Sequence, residues 1–261
     1  MMKSKTFVEK ALEIAKSYKT AYVWGAFGWP MTKSNKDRII AEYSYNRESA
    51  HKAAILACSA DTFGFDCVNL IKAILWGWSG DKDKSYGGAK YNTDVCPDVG
   101  ANRMITMCKN VKTNDWNNMT PGEVVWLSGH IGIYIGGGLV VEATPRWKGG
   151  VQISALGNIG GVKGYNSRTW SRHGFLPWVD YSVEEKPAKP KTGTISLGDI
   201  VDFTGSMHYV SPDSDKGYKA KPGPAKVTHY SPKMRHPYHV IHTDRTSNVY
   251  GWVDKDTINK K

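Results

Sequence analysis

The sequence predicts an α+β domain over residues 1–181 followed by a small all-β barrel over 195–261, and three patterns carry that expectation. Apolar residues recur after Cys67 at Val68, Ile71, Ile74, Leu75 and Trp78, which is helical spacing. Alternation through HIGIYIGGGLVVEAT marks a β-hairpin. The run SVEEKPAKPKTG, rich in Pro, Lys and Glu, cannot bury a core and reads as a semi-rigid linker over 182–194. Beyond it lie short β-type runs, DIVDF, KVTHY, YHVIHT and VYGWV, set apart by Pro and Gly.

The elements follow in order. Phe7, Ala11, Leu12, Ile14, Ala15 and Tyr18 make an amphipathic first helix. The stretch from Ala26 to Thr62 reads as an insertion beside a cleft. In FGFDCVNLI a loop becomes a helix, with Cys67 in its first turn. There the N-terminal dipole and a neighbouring imidazolium lower a thiol pKa from roughly 8.5 to as little as about 3.5. Asp66 has two readings, helix N-cap or substrate contact. Cys58, in the apolar run AAILACSA, reads as a buried small hydrophobe. Cys96 and Cys108 flank a short helical segment, and the four cysteines show no CxxC pair and no framework spacing.

Parity decides which hairpin residues share a face. With Gly136, Gly137 and Gly138 as a three-residue loop, Ile135 pairs with Leu139, Ile133 with Val141 and Ile131 with Ala143, leaving one apolar face. The other face then carries His130 and Glu142 as diagonal neighbours roughly 7–8 Å apart at the backbone. Glu142 can accept the imidazole N–H and aim the other ring nitrogen at the Cys67 thiol. His173 in HGFLPW is a second candidate base, without a hairpin context or an evident orienting partner.

Composition narrows the partners. The formal net charge is +11, from 35 basic and 24 acidic residues spread through both halves. A dispersed excess suits an anionic polymer, whereas nucleic-acid binding needs a clustered basic face or a known binding fold. No run of about 18 apolar residues is present, and the N-terminus lacks a signal-peptide apolar region. The expectation is a chain made in the cytoplasm, without membrane insertion, that needs another route to any external target.

At this point the motifs resemble those of the NlpC-type papain-like cysteine peptidases of bacterial cell walls. TAYVWGAFGWP, FGFDCVNLI, TPGEVVWL and HIGIYIGGGLVVE occur in that family's order, with Glu142 twelve positions after His130. The resemblance implies a papain-like fold of helices packed on an antiparallel sheet. It also implies Cys67 as nucleophile, His130 as general base and Glu142 as orienter. Tyr22, Trp24 and Asp66 would be substrate contacts, with Tyr22 also near the oxyanion. Two departures stand out: Val68-Asn69 replaces the family's frequent Ser-Gly, and Glu142 replaces a frequent His, Asn or Gln.

Residues 195–261 resemble bacterial SH3-like cell-wall-binding domains in LGDIVDFTG, HPYHVI and YGWV. By that resemblance Tyr209, Tyr218, Tyr238 and Trp252 are wall-binding aromatics. His236, His239 and His242 suggest a metal, but strand parity puts His239 on the opposite face from the other two. The pairing of domains is that of phage endolysins. It implies a peptidoglycan hydrolase that needs no cofactor or metal and acts on the wall after release at host lysis. The implied bond joins D-γ-glutamate to a diamino acid. The alternatives are an N-acetylmuramoyl-L-alanine amidase and an inactive wall-binding protein, and a thiol acyltransferase would bring an apolar anchor that the chain lacks. Diamino acid, host and oligomeric state are not readable.

Overall fold

The computed structural model describes residues 1–91, 96–182 and 195–260. The chain divides into two compact units, Met1–Ser182 and Val183–Lys261. Of the expected linker, residues 183–194 lie outside the described residues.

In the first unit, strand β1 (Met2–Lys3) leads into helix α1 (Ser4–Ser17), which buries Phe7, Val8, Ala11 and Ile14 at helical spacing. Strands β2 (Thr20–Tyr22) and β3 (Phe27–Pro30) precede three helices, α2 (Lys33–Glu42), α3 (Ser44–Arg47) and α4 (Ser49–Ala57). Strand β4 (Phe63–Phe65) then lies between β2, parallel to it, and β3, antiparallel. The expected insertion is therefore a folded helical excursion whose ends belong to one small sheet.

Helix α5 (Cys67–Leu75) follows β4 at once, and every residue in it is buried, Asn69 and Lys72 included. It packs against α1, β3 and the central strands named below, so this helix is core on all sides. Asp66 caps its start from an extended backbone. Gly77, at φ +80°, ends it in a left-handed turn. Trp78 accordingly leaves the helix that its spacing suggested, and its indole N–H donates to the Gly28 carbonyl instead.

After α6 (Ala101–Met107) come strands β5 (Lys109–Lys112), β6 (Val124–Leu127), β7 (His130–Gly136), β8 (Leu139–Ala143), β9 (Val151–Leu156), β10 (Ser167–Arg168), β11 (Arg172–Phe175) and β12 (Val179–Asp180). Seven of them form a sheet in the order β10-β9-β8-β7-β6-β11-β5, antiparallel except at the β10 edge. β12 pairs with β1. Helices early in the chain, packed on a mostly antiparallel sheet formed later, make this unit α+β.

The β7–β8 turn departs from the expected three-residue loop. Ile133 pairs with Val141, but Leu139 pairs with Gly136, and a bulge between Tyr134 and Gly136 takes up Ile135. The turn is thus Gly137-Gly138, both in the left-handed region. One residue taken from the loop and given to the bulge leaves the parity of His130 and Glu142 unchanged. Cys58 differs as well: it caps the end of α4 at the edge of the core, packed against it and only partly buried.

The second unit is all-β. It comprises β13 (Ile200–Phe203), β14 (Met207–Tyr209), β15 (Gly217–Lys219), β16 (Gly223–Tyr230), β17 (Tyr238–His242), β18 (Tyr250–Val253) and β19 (Ile258–Lys260). These form one antiparallel sheet in the order β15-β14-β18-β17-β16-β13-β19. The expected barrel is not closed: the edge strands β15 and β19 are three residues each and pair only with β14 and β13. Val201, Phe203, Val227, Val240 and Val253 alternate with outward residues to fill its core.

Candidate active site

Cys67 stands at the first position of α5 and is 4% exposed. Its Sγ lies 3.9 Å from the Gly129 carbonyl. The Ile131 N–H also faces the sulfur. The thiol therefore rests against the backbone on both sides of His130, where β7 begins.

His130 Nε2 is 2.6 Å from Glu142 Oε2. Glu142 is fully buried and holds three further contacts: Ser154 Oγ donates to Oε1 at 2.5 Å, and Arg168 Nε donates to Oε1 at 3.2 Å and to Oε2 at 2.9 Å. Burial pushes this carboxyl up, but His130, Arg168 and Ser154 together hold it below the ordinary glutamate range. An ionised carboxylate only accepts, so Nε2 carries the hydrogen and Nδ1 is the imidazole's basic nitrogen. Among the described residues, Glu142 is the only hydrogen-bond partner of that ring. Trp170 stacks on it with centroids 5.4 Å apart and planes 10° apart, fixing its tilt.

The thiol differs from its sequence expectation. Burial first, and the neighbouring Asp66 charge second, push the Cys67 pKa up to about 12. The N–H groups of Ile131, Val68 and Cys67 pull the other way and do not prevail. The helix-start effect is real but smaller than desolvation at 4% exposure. At rest the Cys67 side chain is a thiol.

Asp66 is occupied as a cap. Its Oδ1 accepts from Asn69 N–H at 2.8 Å, and its Oδ2 from Asn69 Nδ2 at 2.7 Å and from Gly25 N–H at 2.9 Å. Gly25 has to be glycine: its φ is +85°, and a Cβ there would meet the Tyr43 ring at 2.4 Å. Tyr22, on β2, is half-buried. Burial, then Cys67 and Asp66, raise its pKa, so its hydroxyl keeps its proton beside the sulfur. Trp24 is 41% exposed and leans on Tyr45 at 5.3 Å. Its backbone is clamped by buried Asn46, which accepts from Trp24 N–H and donates to the Trp24 carbonyl. The helical excursion thus holds the Tyr22–Trp24 segment against α5.

Two cavities flank that segment, one of about 450 Å³ beside Asp66 and Val68 and one of about 440 Å³ beside Tyr22 and His51. The chain matches no family model and no curated protein.

His173 is not at this site's disposal. Contrary to expectation it has a carboxylate partner, Glu123, 2.6 Å from Nδ1, while Nε2 is 2.8 Å from the Asn114 carbonyl. Both nitrogens are committed, which leaves none for a thiol. Arg168, Ser154 and Trp170 belong to the site yet were not found from sequence. Strand β9 places Ser154 opposite Val140, one strand over, but Arg168 arrives on a separate edge strand with no local signal.

In the second unit, the candidate wall-binding residues separate. Tyr218 is exposed, and Trp252 is half-buried beside His239 at 5.5 Å. Tyr209 stacks on His236 at 3.5 Å. Tyr238 is 4% exposed in the core, stacked on Tyr230, so the expected surface contact is replaced by packing. His236 Nδ1 is 2.6 Å from Asp254 Oδ1, and its Nε2 3.1 Å from the Ser214 carbonyl. Among the described residues, no three His, Cys, Asp or Glu side chains are grouped to hold a metal. No helix among them is long and apolar enough to cross a membrane.

Proposed function

We propose that the first unit is an NlpC-type, papain-like thiol hydrolase that cuts the stem peptide of bacterial peptidoglycan in the manner of a phage endolysin. The second unit, in this reading, is an SH3-like module that holds it on the wall and its anionic polymers. The observation that carries the reading is the bond from part-buried His130 to buried Glu142, with the backbone on either side of His130 facing the Cys67 sulfur.

With the thiol held near pKa 12, proton loss accompanies attack. Sγ adds to the peptide carbonyl as its proton passes to His130 Nδ1. The new imidazolium is stabilised by the ionised Glu142, whose charge Arg168 helps to maintain. In this reading, backbone N–H groups at the start of α5 and the protonated Tyr22 hydroxyl donate to the developing oxyanion. His130 then protonates the leaving amine, the C–N bond breaks, and the same nitrogen activates water to cleave the thioester.

The favoured bond joins D-γ-glutamate to the diamino acid. Mass spectrometry of products released from purified walls by the native chain and by Cys67→Ala tests this. New amino-terminal diamino acids, with L-Ala-D-Glu left on the glycan, are expected from the native chain alone. Peptide-free glycan with free amino-terminal L-Ala would make it an amidase, and the absence of any Cys67-dependent product would reduce the chain to a wall-binding protein.

A further inference from the structure

The cavity of about 450 Å³ starts beside the first turn of α5, at Asp66, Val68 and Asn69, and is bounded by β3 and α2 and by Tyr86, Tyr91 and residues 98–100. Aromatic rings form its walls, among them Phe27, Trp29, Tyr43, Tyr86 and Tyr91. Two opposite-charge pairs line it, and they differ in kind. Lys72 donates from a buried position to Asp98, whose other oxygen accepts from the Tyr91 hydroxyl at 2.7 Å, so this pair is closed. Arg38 and Glu42, exposed and one turn apart on α2, meet only at 3.7 Å, with the Tyr43 hydroxyl also donating to the Glu42 carboxylate. The Arg38 guanidinium sits over the Trp29 ring at 4.7 Å from its centroid, a contact that uses none of its N–H groups.

A loose pair of opposite charges on an aromatic floor is complementary to a ligand that carries both charges on neighbouring atoms. We propose that this cavity is a substrate subsite for an amino-acid head, an ammonium and a carboxylate on one carbon, at the free end of a diamino acid side chain. Arg38 takes the carboxylate and Glu42 the ammonium. The assignment rests on the peptidoglycan reading above and makes Arg38 and Glu42 specificity-determining residues for it. Binding replaces one 3.7 Å contact by two charge-assisted hydrogen bonds of about 2.7–2.9 Å. The side chains of Arg38 and Glu42 remain exposed, so both charges are open to an incoming ligand. A side chain ending in an ammonium alone satisfies Glu42 and leaves Arg38 unanswered. The second cavity, with His51 and Lys148 in its lining and no carboxylate, offers no opposite charge to an ammonium.

The test is calorimetric titration of the full chain carrying Cys67→Ala, which binds without turnover, with two tripeptides. One is L-Ala-γ-D-Glu-meso-diaminopimelate, and the other is L-Ala-γ-D-Glu-L-Lys, which lacks the terminal carboxylate. The first is expected to bind up to about fivefold more tightly, the upper worth of an exposed charge pair. Adding Arg38→Gln should abolish that preference while leaving the lysine peptide within about twofold, which also shows that the variant is folded. Adding Glu42→Gln should weaken both ligands. Equal affinities, a preference that survives Arg38→Gln, or binding of neither peptide overturns the subsite. The same peptides offered to the active chain separate the two readings. Head-group preference without Cys67-dependent cleavage keeps the subsite and removes the hydrolase, and cleavage without preference removes the subsite alone.

Discussion

Glu142→Gln perturbs the most constrained group in the first unit. The carboxylate is fully buried and receives hydrogens from His130, Ser154 and Arg168. A glutamine has one acceptor oxygen and an NH₂, so it turns a donor toward at least one of three donors. It also leaves Arg168, whose side chain is 9% exposed, without its counter-charge. Removing one partner of a buried pair costs about 3–5 kcal/mol. For a unit of this size that is a melting shift of roughly 6–20 °C. The Glu142 carboxyl lies below its unfolded value, so the unfolded chain binds more protons as pH falls through that window. The stabilisation is complete above the ordinary glutamate value of about 4.3 and is lost as pH drops through the folded value. Melting of native and variant chains, followed by near-ultraviolet circular dichroism from pH 7 down to 3, should show a wide gap at pH 7 that narrows on acidification. Lysis by the folded variant should fall roughly 10²–10⁴-fold, since the imidazole loses its fixed tautomer. A melting shift under about 2 °C at pH 7 would refute the claim that Glu142 compensates a buried guanidinium.

Alkylation of Cys67 by iodoacetamide, read peptide by peptide, should accelerate with pH beyond 9 and show no plateau near neutrality, since its pKa is pushed up to about 12; a plateau below pH 7 would mean a resting thiolate–imidazolium pair. His173→Ala should destabilise the first unit by about 3–5 kcal/mol through the orphaned Glu123, with Cys67-dependent product per folded molecule unchanged. Loss of product from a variant that still folds would make His173 part of the chemistry. In the second unit, Tyr238→Ala should cost about 3–5 kcal/mol as a core truncation, whereas Tyr218→Ala should stay within about 0.5 kcal/mol and weaken sedimentation with purified walls. Wall sedimentation unaffected by Tyr218→Ala would remove that residue from the binding surface.

Local pattern alone determined a good deal of this protein. The spacing after Cys67 and the cap at Asp66 place the nucleophile candidate at a helix start, because capping and helical periodicity act within a few residues. Alternation put His130 and Glu142 on one face, and the bulge at Ile135 preserved that parity although the turn itself differed. What the fold alone decided are the quantities set by distant neighbours. Burial outweighed the helix dipole at the thiol because desolvation depends on everything packed around α5. Arg168 and Ser154 reached Glu142 from other strands, Trp170 stacked on His130 from the loop between β10 and β11, and Glu123 claimed His173 from fifty residues away. Tyr238 turned inward and Tyr218 outward although both are tyrosines on strands, because the side of the sheet that is covered is a property of the whole unit.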